Sequence, residues 1–169
     1  EPYIVFVRPE LLAVENFRST VFGAQPAAWT CAGKTAVVDV PDYDAELRPS
    51  AFDLNTVPRY RPLDLRALRL EAGAAATLTF KTTAQEPVVL HVRVKAGQAD
   101  QSVSLCLTAA KGEPGVRVAF SDAGKIAVNG VAVCDYAAGR WYTLTVHCNP
   151  AKRTFYLEVQ DDALKTLSS

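Results

Sequence analysis

Methionine is missing from all 169 residues, the initiator position included, so Glu1 reads as the start of a processed or excised piece. No apolar run approaches the roughly 20 residues that span a bilayer, and no basic stretch followed by an apolar one opens the chain. The chain as it stands is therefore expected to be soluble, without membrane insertion. A surplus of either charge is also lacking, since Lys plus Arg and Asp plus Glu both number 18. Nucleic acid, which is drawn by an electropositive field, is not an expected partner. Cysteine is sparse. Cys31, Cys106, Cys134 and Cys148 form no CxxC pair, which argues against zinc, and they leave open two disulfides, one or none.

Helical periodicity is the next absence. Outside the terminal segments no window sustains a 3.6-residue repeat, and the Ala-rich piece Ala72 to Ala76 is interrupted by Gly73. What is present is a globular composition, 49% hydrophobic and 21% charged, on a length that suits a single domain over residues 1–169 with one core.

Short runs with period-two alternation fill the second half. Val116 to Phe120, Lys125 to Val128 and Val131 to Cys134 read as a meander, with Asn129-Gly130 as a type I′ hairpin turn because both residues tolerate positive φ. In Arg140 to Cys148, the residues Tyr142, Leu144, Val146 and Cys148 share one face and Thr143, Thr145 and His147 the other. Asn149 to Lys152 then turns the chain into Thr154 to Val159, a second hairpin. Upstream, Leu65 to Leu70, Ala75 to Thr82, Val88 to Lys95 and Val103 to Thr108 are further strands. Tyr3 to Val7 and Thr35 to Val40 add two more, Phe22 to Trp29 reads as a fixed loop, and Pro41 to Pro62 as a long surface connection. Strands at this spacing, with no helices to carry parallel crossovers, predict an all-β antiparallel two-sheet sandwich.

Asn16-Phe17-Arg18-Ser19 followed by Gly23-Ala24-Gln25-Pro26-Ala27-Ala28-Trp29 resembles the opening of concanavalin A-like or laminin G-like jelly rolls. Gly139 to Val146 and Phe155 to Val159 resemble the Trp strand and following hairpin of the same group. The resemblance runs from about Asn16 to Gln160 and implies a jelly roll. One departure stands out: such domains close with further strands, whereas this chain stops at Ser169. Either a strand is missing or Tyr3 to Val7 fills its place, and an open edge would pair with another domain or chain.

Candidate site residues follow from these faces. Glycosidases need two carboxylates across a cleft, and the Glu-x-Asp-x-x-Glu strand of jelly-roll glucanases is absent, as are the Gln-x-His and Tyr-x-Lys-x-Gly patterns of jelly-roll alginate lyases. His91 and His147, with Arg93, fall on the polar faces of their strands, where solvated side chains are also ordinary. Tyr43, Arg59, Tyr60 and Arg61 combine aromatic rings with cationic donors suited to a sugar or a carboxylate. Asp39, Asp42 and Asp44 form an acidic cluster able to offer oxygen ligands, and the resemblance adds a structural calcium as the one cofactor to consider. Trp29 and Trp141 read as core anchors. The expected function is that of a non-catalytic binding or structural module, carbohydrate-binding or protein-binding, in a secreted or cell-surface protein. The alternatives are a polysaccharide-degrading lyase or hydrolase using His91, Arg93 and His147, and a purely architectural domain.

Overall fold

The computed structural model describes residues 17–40, 66–81, 86–98, 100, 102–108, 112, 114–163 and 165–168. Among them there is no helix, and every strand pairing is antiparallel. The chain divides into two compact units, Glu1–Thr82 and Thr83–Ser169. The strand expected at Tyr3 to Val7 and the connection Pro41 to Pro62 lie outside the described residues.

In the first unit, β1 (Trp29–Ala32) pairs with β4 (Ala75–Leu78), and β2 (Thr35–Asp39) pairs with β3 (Arg66–Leu70). Trp29 stands opposite Leu78 and Asp39 opposite Arg66, so the two pairs are segments of one bent ribbon. Its corner is Gly33-Lys34 on one side and Glu71 to Ala74 on the other. Gly33 has φ 73°, and a Cβ there would come within 3.0 Å of the Ala74 Cα, so both conformation and close approach demand glycine. The Glu71 N–H donates to the Lys34 carbonyl at 3.1 Å, and their side chains form a salt bridge at 2.9 Å. The segment Phe22 to Trp29 is fixed, as expected, because Gly23 and Ala24 exchange backbone hydrogen bonds with Val37 at 2.9 Å each. Its last residue, Trp29, already belongs to β1.

The second unit is a β-sandwich. It contains β5 (Val88–Lys95), β6 (Val103–Thr108), β7 (Pro114–Phe120), β8 (Lys125–Val128), β9 (Val131–Asp135), β10 (Trp141–Asn149), β11 (Thr154–Gln160) and β12 (Thr166–Ser168). One sheet has the order β12-β11-β10-β5 and the other β6-β7-β8-β9. β6 to β9 form a meander between β5 and its neighbour β10, so the chain leaves the first sheet, builds the second and returns. The β8–β9 turn is Asn129-Gly130, with φ 48° and 87°, the two positive values the sequence calls for. The Asn129 side-chain oxygen also accepts from the Arg117 N–H at 2.9 Å, tying the turn to β7.

Alternation sorts side chains between core and exterior. Val116, Val118 and Phe120 of β7, Ile126 of β8, Tyr142, Leu144 and Val146 of β10, and Leu157 and Val159 of β11 are buried together between the sheets. Two tyrosines enter this apolar layer with their hydroxyls satisfied. Tyr136 donates to the Ser121 carbonyl at 2.8 Å, and the Tyr142 oxygen accepts from the Ala137 N–H at 2.8 Å.

Two expectations are corrected. The Phe155 to Val159 hairpin strand is not the last, because β12 pairs along β11 and packs Leu167 against the core. Asp161 holds that turn, its side chain accepting from the N–H groups of Ala163 at 3.0 Å and Lys165 at 2.9 Å. Trp141 is buried, at 7% exposure, but it shares the face of Thr143 and Thr145, turned away from the inter-sheet core. His147 on the same face is exposed. All four cysteines are free thiols.

Candidate functional site

The face of β5, β10 and β11 turned away from the inter-sheet core is buried at Trp141 and Thr143 and exposed at His91, Lys95, His147 and Tyr156. Cross-strand register sets it in rows. Lys95 stands beside Trp141; Arg93 beside Thr143 and Gln160; His91 beside Thr145 and Glu158; Val89 beside His147 and Tyr156. Three of the residues singled out in the sequence, His91, Arg93 and His147, are thereby brought onto one surface. Tyr43, Arg59, Tyr60, Arg61, Asp42 and Asp44 lie outside the described residues. Asp39 ends β2, exposed and opposite Arg66, and no group of three or more His, Cys, Asp or Glu among the described residues could hold a metal.

Each row has its own contacts. The Arg93 guanidinium lies 5.6 Å and the Lys95 ammonium 5.7 Å from the Trp141 ring, which both cations share. His91 Nδ1 and Thr145 Oγ1 are 3.1 Å apart. Glu158 Oε1 accepts from Gln160 Nε2 at 3.0 Å and from Thr166 Oγ1 at 3.1 Å, so its carboxylate is held in place. The His147 and Tyr156 rings meet edge to face at 5.8 Å. They border a shallow open groove of about 270 Å³ with Pro87, Val89, Asn149 and Phe155. Three apolar side chains stand open to solvent there, Val89 at 56%, Phe155 at 40% and Tyr156 at 47% exposure.

Lys95, Tyr156 and Glu158 were not singled out by sequence, although alternation alone places Tyr156 and Glu158 on the polar side of β11. What was lacking is the register that sets them beside His147 and Thr145. The arrangement limits the chemistry. Acid–base hydrolysis of a glycosidic bond needs a pair of carboxylates, and Glu158 is the single carboxylate on the described positions of these three strands' outer face. Thr145 with His91 lacks the third, orienting acid of a nucleophilic triad among the described residues. The described part of the face carries hydrogen-bonding groups around the His147–Tyr156 pair. Comparison with protein-family models, curated proteins and solved structures finds no match for this chain.

Proposed function

We propose that this chain is a non-catalytic, carbohydrate-binding β-sandwich module of a secreted or cell-surface protein, and that the β5–β10–β11 face is its binding surface. The observation that carries this reading is the half-exposed Tyr156 ring, braced edge-on by His147 above an open groove. A sugar ring has an apolar C–H face that stacks on an aromatic ring and hydroxyls that need donors and acceptors at its edge. Tyr156 supplies the first requirement, and His91, Asn149, Thr154 and Glu158 supply the second. Because these groups stand on strands rather than loops, little ordering is needed on binding. An open, shallow groove suits a stretch of polymer better than an enclosed small molecule. The concanavalin A-like jelly roll is the family proposed for it, on the sequence resemblance over Asn16 to Gln160.

A glycan array probed with the full chain and with Tyr156→Ala tests this. Retention of a defined set of glycans by the parent, lost in the variant at unchanged melting temperature, is the expected result. Equal retention by both, or none by either, contradicts it. Incubation with the retained polysaccharides should release no new reducing ends and no unsaturated products, which separates binding from hydrolysis and lyase chemistry.

A further inference from the structure

We propose that Asn129 is a self-modifying site: its side-chain amide deamidates by attack of the Gly130 nitrogen, and the folded β8–β9 turn holds this reaction shut until the hairpin opens. The proposal does not depend on glycan binding. Of Asn16, Asn55, Asn129 and Asn149, Asn129 alone is followed by glycine. Glycine has no side chain to shield its nitrogen. Both turn residues are exposed, and nothing lies within 4 Å of where a Gly130 Cβ would stand. Sequence and exposure therefore favour the reaction. The Gly130 nitrogen, once it has lost its proton, attacks Asn129 Cγ. A C–N bond closes a five-membered succinimide, and the Cγ–Nδ2 bond breaks to release ammonia. Water then opens the ring at one carbonyl or the other, leaving aspartate or isoaspartate at position 129, with no oxidation or reduction. Isoaspartate carries an extra carbon in the main chain, so the two-residue turn no longer matches the twist of its strands.

The folded turn opposes ring closure in two ways. Asn129 and Gly130, with φ 48° and 87°, occupy the central positions of a type I′ turn. Such a turn sets ψ of its first central residue near about +30°. The Gly130 nitrogen then lies nearly anti to Asn129 Cβ about the Cα–C bond, whereas the five-membered ring needs the two nearly eclipsed. Rotating ψ that far undoes the Val128–Val131 pair that closes the turn. Asn129 is also bound twice to β7. Its N–H donates to the Arg117 carbonyl at 2.9 Å, and its Oδ1 accepts from the Arg117 N–H at 2.9 Å. That second bond polarises the amide, which by itself would help the attack, but polarisation is without effect while the nucleophile stands on the far side. Geometry wins over activation. The reaction therefore needs these bonds to open together, and its rate follows the open fraction.

Peptide mapping by mass spectrometry of the full chain, held at one mildly alkaline pH and one temperature across a urea series, tests this. Deamidation at position 129 should be at least about tenfold slower without urea than in the unfolded chain. It should rise across the same urea interval in which circular dichroism reads unfolding. Asn149 is the internal control, because Pro150 has no N–H to lose and forms no succinimide in either state. A rate at position 129 that does not change with urea, or that is faster in the folded chain, overturns the closure by the turn. No modification of Asn129 in the unfolded chain overturns the site itself.

Discussion

Replacing Leu144 with alanine tests whether the two sheets of the second unit share the core described above. Leu144 is fully buried at the centre of β10, between Val92 on β5 and Val159 on β11, and faces β7 and β8. Losing three carbons at about 0.8 kcal/mol each forfeits about 2.4 kcal/mol of transfer free energy. The cavity left in a rigid four-stranded sheet raises the cost to about 3–4 kcal/mol, inside the range of about 2–5 kcal/mol for such truncations. In a unit of this size that lowers the melting temperature by about 12–30 °C. His147→Ala, three residues along the same strand but on the exposed face, should cost no more than about 0.5 kcal/mol. Urea titration followed by circular dichroism reads both. A Leu144→Ala cost below about 1 kcal/mol, or equal costs for the two variants, would refute the assignment of faces on β10.

The remaining predictions concern turns, charge and thiols. Gly130 has φ 87° with nothing near its absent side chain, so Gly130→Ala should lose about 1 kcal/mol through backbone strain alone, read by the same titration. The Arg140 guanidinium, hydrogen-bonded to Asp162, holds that carboxyl below the usual carboxylate range against an opposing effect of burial. Since the folded value is the lower one, this stabilisation is present above the unfolded value of about 3.9 and is lost as pH falls through the folded value. Asp162→Asn should therefore flatten the acid limb of a melting-temperature profile, whereas an unchanged limb would assign it to other carboxylates. Burial pushes the Cys134 thiol up, with Asp135 adding to the shift, while Cys106 is exposed on β6. Alkylation followed by mass spectrometry should thus label Cys106 well before Cys134.

Much of the second unit is legible in sequence because its strands alternate cleanly and one turn, Asn129-Gly130, admits few other structures. β12 is not, since three residues carry no period and its register depends on the Asp161 turn that folds it back. Trp141 shows a different limit. Period-two alternation puts it with Thr143 and His147, but its size argues for the core, and the alternation prevails: the ring is buried on the outer face with Arg93 and Lys95 beside it. The site was half visible for a related reason. Alternation places His91, Arg93 and His147 on polar faces, but which residues adjoin them across strands depends on turn length and bulges. The rows that join His147 to Tyr156 and Thr145 to Glu158 emerge only with the pairing.

An amide chemical-shift titration of the isotope-labelled full chain with an oligosaccharide of a glycan retained on the array tests the binding face most directly. The shifts expected to move are those of Val89 to Lys95, Thr145 to Asn149 and Thr154 to Glu158, with saturation, while β6 to β9 stay still. Perturbations confined to β6 to β9, or none at any glycan concentration, would contradict the assignment of this surface.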